Sequence, residues 1–407
     1  MTLAAWPNPS GPFPVGAIEF DLHDDSRATM YATPPKIGRT LTVTCWYPAT
    51  SVENRKRKSY LKPEEAPINE FFEVLKVSAE KRQQVGALLT AAYIDAPVAP
   101  GKFPILVFCH GGGSYREQST VLMEHLASQG YVVASVAHPH EAGSYVSATG
   151  TLLKTDAAHL SDLAKLQAIL GQYVDWMRSD SMQTRIEALR GMIRPLRDTW
   201  LGGLANTWAD DLLLVADRII DGAIDHISGA VLSEVGYFGM SYGAHVAALA
   251  AMKDVRAKAF VNLDGGLFTA EPLGREIGIP SLCIAEDIAN PAIAALFGQE
   301  PPPAHEAGLS MLHALYTHPD GTQNQLVQHV TIRGAGHGDF TDFPLVLGPI
   351  PTFVCFPAGT RVLDIQCELV GAFFDLHIRG EGSSFRDFAR VRFAEDVVVH
   401  KIRPQAS

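Results

Sequence analysis

Ser241 is the central residue of the sequence Gly-Met-Ser-Tyr-Gly at positions 239–243, and its hydroxyl could act as a nucleophile. Glycines two positions before and two positions after the serine leave room for a tight turn that pushes the side chain out of the backbone. The apolar residues 234–238 predict a buried strand before the turn, and the alanine-rich residues 244–252 predict a helix after it. Because this order is typical of a nucleophile elbow, we predict that Ser241 is a nucleophile.

A serine hydroxyl is a weak nucleophile until a base accepts its proton and a third group orients that base. Among the histidines that follow Ser241, His337 stands out because it lies in a glycine-rich turn directly after a predicted strand at residues 326–332. A histidine at the end of a strand can reach a serine at the end of another strand of the same parallel sheet. We therefore predict that His337 is the base.

Two positions could supply the acid that orients this histidine. Asp264 follows a predicted strand at residues 257–263, and Glu286 and Asp287 follow the next one at residues 280–285. The carboxyl ends of parallel strands converge on one edge of a sheet, so an acid at either position could reach the base. The residue pattern alone leaves both choices open.

Hydrolysis of an acyl group also needs hydrogen-bond donors for the negative oxygen of the tetrahedral intermediate. Each such donor is worth roughly 2.7–4 kcal/mol. The main-chain N–H of Tyr242, directly after the nucleophile, is one candidate, and the His-Gly-Gly-Gly turn at residues 110–113 offers another. Glycines in this turn would allow the backbone to approach a substrate closely.

These residues need a sheet that places them at one edge. Residues 103–109 form a continuous apolar run, and they are followed by a predicted helix at 117–128 and by a second apolar run at 131–137. Such a strand–helix–strand unit predicts a parallel sheet that is covered on both faces. Residues 15–21 and 40–47 alternate in polarity, which favours an antiparallel pair at an edge of that sheet.

We interpret the whole chain, residues 1–407, as a single α/β domain with two insertions. Residues 53–101 carry a basic cluster and then helical periodicity over 68–92, which predicts an insertion on the surface of the sheet. Residues 142–208 lack a strand pattern and show two helical apolar faces. We interpret them as a helical cap over the strand ends, and an ordinary packed pair of helices is the alternative. Helices are also predicted at residues 210–224 and 361–376.

Composition excludes some classes of partner. The 44 acidic residues exceed the 33 Lys and Arg residues, giving a formal net charge of −11, so nucleic acid is not expected to bind. No apolar run is long enough for a transmembrane segment, and no signal peptide is visible, which favours a cytoplasmic protein, or a secreted one if a leader has been trimmed. The oligomeric state is left open.

No cofactor and no metal site is predicted. Residues 138–141, His-Pro-His-Glu, contain potential metal ligands, but no further ligand cluster of defined spacing accompanies them. Cys109 adjoins His110, yet it ends a strand that is expected to be buried, which argues against a thiol nucleophile.

Several motifs make the chain similar to a known group of enzymes. It resembles the platelet-activating factor acetylhydrolase group of α/β-hydrolases, which are serine esterases that remove short or oxidised acyl chains from phospholipids. The residues that carry the resemblance are 11–16 (Gly-Pro-Phe-Pro-Val-Gly), 46–48 (Trp-Tyr-Pro), 103–104 (Phe-Pro), 110–111 (His-Gly), the elbow at 239–243, 263–264 (Leu-Asp) and 337–343 (His-Gly-Asp-Phe-Thr-Asp-Phe).

The resemblance implies an α/β-hydrolase fold with a mostly parallel central sheet and flanking helices, to which the helical insertions predicted from the residue pattern would add a cap. It also implies that Ser241 is the nucleophile, Asp264 the acid and His337 the base, and that the oxyanion amides belong to Gly112 and Tyr242. We therefore expect a serine hydrolase that cleaves a small-molecule or lipid-like carboxylic ester through an acyl-enzyme intermediate. The alternatives are a lactonase, polyester hydrolase or amidase with the same triad, or a non-catalytic binding protein of the same fold.

Overall fold

The computed structural model describes residues 5–29, 32, 36–155, 187, 190–191, 193–271, 277–287, 326–348 and 358–400. Its strands are β1 (Val15–Thr29), β2 (Lys36–Pro48), β3 (Arg57–Ser59), β4 (Leu89–Ile94), β5 (Phe103–Cys109), β6 (Val132–Ala137), β7 (Tyr145–Val146), β8 (Leu152–Leu153), β9 (Val231–Met240), β10 (Ala257–Leu263), β11 (Ser281–Ala285), β12 (Val327–Ile332) and β13 (Val397–Val399). Its helices are α1 (Glu70–Val74), α2 (Ala79–Gly86), α3 (Thr120–Ser128), α4 (Trp200–Ile220), α5 (Tyr242–Lys253), α6 (Phe343–Val346), α7 (Arg361–Phe374) and α8 (Phe385–Arg392).

Within these residues, one large sheet of 11 strands organises the fold, in the order β13-β12-β11-β10-β9-β5-β6-β2-β1-β4-β3. The six strands from β12 to β6 run parallel to one another. Strand β2 pairs antiparallel with β6 and with β1, and β13 pairs antiparallel with β12. A mostly parallel sheet places the carboxyl ends of its central strands at one edge, where ligands usually bind.

Both faces of the parallel block are covered, which explains its continuous apolar runs. Along β5, Val107 belongs to the core on one face, whereas its neighbours Leu106 and Phe108 belong to the core on the other face. Helices α4 and α5 cover the first face, and α3 and α7 cover the second. This alternation is the period of two that a strand requires.

The antiparallel pair β1–β2 forms as predicted, but the prediction that it lies at the edge of the sheet is wrong. Strand β4 pairs in parallel with β1, with Gly16 opposite Tyr93, and β3 pairs with β4 beyond it. Residues 89–92 were expected to continue a helix, but their burial alternates, with Thr90 and Ala92 buried, and they form a strand. Residues 53–101 thus supply two strands as well as helices α1 and α2.

Most of the predicted cap at residues 142–208 lies outside the described residues. At its end, α4 begins at Trp200, ten residues before the helix start expected from the sequence. Helix α7 agrees with the predicted final helix, and the charged segment after it forms α8 and the edge strand β13.

A buried network of charges holds α4 against the sheet. The guanidinium of Arg39 on β2 donates to Asp211 Oδ2 at 2.6 Å and to Glu141 Oε1 at 2.9 Å, and these side chains are fully buried. His138 Nδ1 lies 2.7 Å from the same Asp211 oxygen. Burial opposes ionisation of Asp211, but Arg39 outweighs it and holds the pKa of this carboxyl well below its usual range. The position of α4 therefore depends on a buried ion pair.

Candidate active site

The turn that contains Ser241 has the geometry of a nucleophile elbow. Strand β9 ends at Met240, α5 begins at Tyr242, and Ser241 between them has φ 58° and ψ −124°. A β-carbon on Gly239 would lie 2.2 Å from the carbonyl oxygen of Gly243. A side chain cannot fit there, which explains the first glycine of the motif.

The structure brings Ser241, His337 and Asp264 into one chain of hydrogen bonds. The Nε2 atom of His337 lies 3.1 Å from the Oγ atom of Ser241. The Nδ1 atom of the same ring lies 2.6 Å from Oδ2 of Asp264. One ring nitrogen of the histidine thus faces the serine and the other faces the acid, as a base between a nucleophile and an orienting carboxylate requires.

Asp264 is held in place by main-chain hydrogen bonds on both sides. Its own N–H donates to the carbonyl of Ile284 at 2.8 Å, and its Oδ1 accepts the N–H of Glu286 at 2.9 Å. The second carboxylate oxygen, Oδ2, faces His337. These contacts place the end of β10 and the end of β11 side by side and leave one carboxylate oxygen for the imidazole.

The two alternative acids at the end of β11 have other main contacts. Asp287 Oδ2 accepts the N–H of Gly334 at 2.9 Å, and the N–H of Asp287 donates to the carbonyl of Ala335 at 2.9 Å. Asp287 therefore holds the turn that leads to His337 rather than the imidazole itself. The carboxyl of Glu286 lies closer to the site, with one oxygen within 4.8 Å of an Asp264 carboxylate oxygen and of a ring nitrogen of His337.

Asp264, Glu286 and His337 also form a group that could hold a metal ion, since one ligand atom from each lies within 4.8 Å of the others. Both ring nitrogens of His337 are already engaged, one with Asp264 and one with Ser241. Metal binding would have to break one of these two hydrogen bonds, so the arrangement suits proton transfer better than metal ligation.

The glycine turn after β5 adjoins the elbow. A β-carbon on Gly112 would lie 3.4 Å from Cβ of Tyr242 and 3.1 Å from the ring of Trp200. The backbones of Gly112 and Tyr242, the two predicted oxyanion residues, are therefore neighbours, and the missing side chain at Gly112 leaves space for Trp200. The imidazole of His110 forms a hydrogen bond with this turn, since its Nδ1 atom lies 2.8 Å from the carbonyl oxygen of Gly111. Burial lowers the pKa of His110 to about 3, so this ring is neutral at physiological pH.

Gln118 is a site residue that the sequence reasoning missed. Its Oε1 accepts the main-chain N–H of Gly111 at 3.0 Å, which fixes the start of the glycine turn. The two residues are seven positions apart in an irregular part of the chain, and no periodic sequence pattern predicts the contact. Its only sequence signal is a position shortly after a predicted oxyanion turn.

A cavity of about 340 Å³ opens beside Ser241 and His337, a volume within the range of small-molecule sites. Aromatic and aliphatic side chains from distant parts of the chain form its apolar walls, and these are Phe71, Val74, Leu75, Trp200, Met240 and Phe343. An apolar cavity beside a nucleophile suits the hydrocarbon part of a substrate.

In the part of the chain that the structure describes, every helix is too short or too polar to cross a lipid bilayer.

Comparison with known proteins agrees with this geometry. A solved structure, ferulic acid esterase from Streptomyces cinnamoneus, superimposes with a TM-score of 0.69 at 25% identity and covers 97% of this chain and 98% of its own. Together with the mostly parallel sheet and the elbow, this match defines the fold as that of an α/β-hydrolase.

Residues 3–354 match the family model of platelet-activating factor acetylhydrolase, isoform II, and the chain belongs to that family. The platelet-activating factor acetylhydrolase of Gallus gallus is 36% identical over 80 residues, which is 19% of each chain. That of Cavia porcellus is 24% identical over 221 residues, or 52% of this chain and 47% of the relative. The matches thus span from a fifth to about half of the length of these relatives.

Proposed function

We propose that the chain is a serine hydrolase that cleaves carboxylic esters, with Ser241 as the nucleophile, His337 as the base and Asp264 as the acid. The observation that carries the proposal is the continuous chain of hydrogen bonds from Ser241 Oγ through His337 to Asp264, at 3.1 Å and 2.6 Å. The family match over residues 3–354 and the esterase neighbour support the same chemistry.

The mechanism follows from the positions of these atoms. His337 Nε2 accepts the proton of Ser241 as Oγ attacks the ester carbonyl, and Asp264 stabilises the imidazolium that forms. The main-chain N–H groups of Gly112 and Tyr242 donate to the negative oxygen of the tetrahedral intermediate. His337 then gives its proton to the departing alcohol, which leaves the acyl group on Ser241.

The second half of the reaction repeats these roles with water. His337 accepts a proton from a water molecule, the resulting hydroxide attacks the acyl carbonyl, and the proton returns to Ser241 as the acid departs. The substrate is an ester whose acyl group fits the apolar cavity beside the serine. The neighbour's ferulic ester and the relatives' phospholipid acetyl ester are both candidates of this class.

A serine-directed phosphonate probe tests the nucleophile. We expect one probe molecule on the wild-type protein, located at Ser241 by peptide mass spectrometry, and none on Ser241→Ala, which also loses kcat on the order of a million-fold. Ser114→Ala, which changes another serine that lines the cavity, should still acquire the adduct at Ser241. An unlabelled wild-type protein, or equal labelling of Ser241→Ala, contradicts the proposal.

A lactone and an amide of the same acyl group, compared by product analysis, show which bond is preferred.

A further inference from the structure

Glu286 lies directly behind the acid and the base and has an unusual environment for a glutamate. Its Oε2 atom is buried and has no hydrogen-bond partner among the described residues. Its main-chain N–H donates to Asp264 Oδ1 at 2.9 Å. One carboxyl oxygen of Glu286 also lies within 4.8 Å of a carboxylate oxygen of Asp264 and of a ring nitrogen of His337.

We infer that Glu286 is a reserve acid of the triad, a positioning residue that orients the imidazole of His337 when the carboxylate of Asp264 is removed. This inference rests on the proposed function of the site.

The charges around Glu286 explain why it does not compete with Asp264 in the intact site. Burial and then the negative charge of Asp264 raise the pKa of Glu286 well above its usual range, and Asp339 on the turn after β12 adds to the increase. The N–H of His337 opposes these effects without cancelling them. The carboxylate of Asp287, the next residue, accepts a hydrogen bond from the main-chain N–H of Gly334. With Asp264 present as a carboxylate, ionisation of Glu286 is therefore disfavoured.

Removal of Asp264 changes this balance. The largest neighbouring negative charge is lost, so the carboxyl of Glu286 ionises at a lower pH than in the intact site. The ionised carboxylate then lies within 4.8 Å of a ring nitrogen of His337, beside the position that the carboxylate of Asp264 has left. Glu286 would orient the imidazole, and the fraction of molecules in which it does so would rise with pH.

The test compares kcat/KM against pH for the wild type, Glu286→Gln, Asp264→Ala and the double variant. We expect Glu286→Gln to lower kcat/KM by about threefold, because glutamine keeps the size and polarity of the side chain while Asp264 still orients the imidazole. Asp264→Ala should lose about 10⁴-fold, and its residual activity should rise with pH as Glu286 ionises. The double variant Asp264→Ala/Glu286→Gln should have a kcat/KM about tenfold lower than that of Asp264→Ala at high pH, and its kcat/KM should no longer rise with pH.

The control is the double variant Asp264→Ala/Asp287→Asn, which changes the neighbouring acid instead of Glu286. Its residual kcat/KM should still rise with pH. Circular dichroism confirms that each variant is folded. The inference is overturned if the double variant Asp264→Ala/Glu286→Gln has the same kcat/KM as Asp264→Ala at every pH. It is also overturned if Glu286→Gln alone lowers kcat/KM as much as Asp264→Ala does. A wild-type protein without esterase activity and without a phosphonate adduct instead contradicts the proposed function, so the two failures are distinguishable.

Discussion

Ser241 and Asp264 both have a positive φ angle, which L-amino acids other than glycine rarely adopt. Their φ angles are 58° and 52°, and such conformations cost on the order of 1–3 kcal/mol each. Main-chain hydrogen bonds to neighbouring strands offset the cost, because Ser241 donates to Leu263 at 2.9 Å and Asp264 donates to Ile284 at 2.8 Å. The nucleophile and the acid are thus held by the sheet itself.

Asp342 shows how one buried residue makes stability depend on pH. Its carboxylate accepts the N–H of Val121 at the start of α3, but burial raises its pKa well above the usual range. The folded state therefore keeps a proton that the unfolded chain loses near pH 3.9. Stability contributed by this proton is present at low pH and is lost as the pH rises towards the folded pKa.

We expect Asp342→Asn to remove this loss, since an amide keeps an acceptor for Val121 and has no proton to release. The melting temperature of the variant relative to wild type should be higher at pH 8 than at pH 5, as measured by differential scanning calorimetry. Asp364→Asn, an exposed change on α7, should show no such trend. If Asp342→Asn changes the melting temperature by the same amount at pH 5 and at pH 8, this explanation is refuted.

At the scale of elements, α4 carries two adjacent aspartates with opposite surroundings. Asp211 is fully buried against Arg39, whereas Asp210 forms a surface ion pair with Lys253 at 2.8 Å, with both side chains more than a third exposed. A buried charge without its partner is costly, whereas a surface pair contributes little. The two neighbours therefore form a matched pair for mutation.

We predict that Asp211→Asn lowers the free energy of unfolding by about 3–5 kcal/mol, because it leaves Arg39 short of a buried counter-charge. Asp210→Asn should change it by less than about 1 kcal/mol. Urea denaturation followed by tryptophan fluorescence measures both values. Equal values for the two variants would show that the buried network does not hold α4.

The elements themselves were predictable to different degrees. The parallel strands β5 and β6 have almost continuous apolar runs, and the sequence prediction of them is confirmed. The prediction of β10 is confirmed as well, although Lys258 and Asn262 interrupt its apolar residues. Strand β4 was missed because its short alternating pattern merges with the helical periodicity of residues 68–88. Its pairing with β1 places Tyr93 opposite Gly16, 77 residues earlier in the chain, and depends on tertiary contacts that no local pattern records.

At the scale of the whole molecule, the substrate cavity is assembled from distant segments. Phe71 of α1 and Phe343 of α6 face each other with ring centroids 4.9 Å apart, and Trp200 of α4 lines the same cavity. The residues of the proposed triad could be identified as candidates, since their types and order along the chain are visible in the sequence. The walls could not, because no periodicity links residues 71, 200 and 343.

This assembly predicts which residues set the acyl-chain preference. Phe71→Ala removes an aromatic wall, so the preferred acyl chain in a series of p-nitrophenyl esters should lengthen by about two to four carbons. Phe388→Ala, in a separate cleft between α7 and α8, should leave the preference unchanged. An unchanged optimum in Phe71→Ala would show that the acyl group lies elsewhere.

Tyr242 connects the chemistry of the site to the helix that covers it. Its main-chain N–H is one of the two proposed oxyanion donors, and its hydroxyl donates to the carbonyl of Leu201, in the first turn of α4, at 2.5 Å. Trp200, the preceding residue, lies over the glycine turn that holds the other donor. The first turn of α4 is therefore bound to the single tyrosine that carries one proposed oxyanion donor. A substitution that alters the start of α4 would thus be expected to disturb the geometry of this donor even without touching the triad.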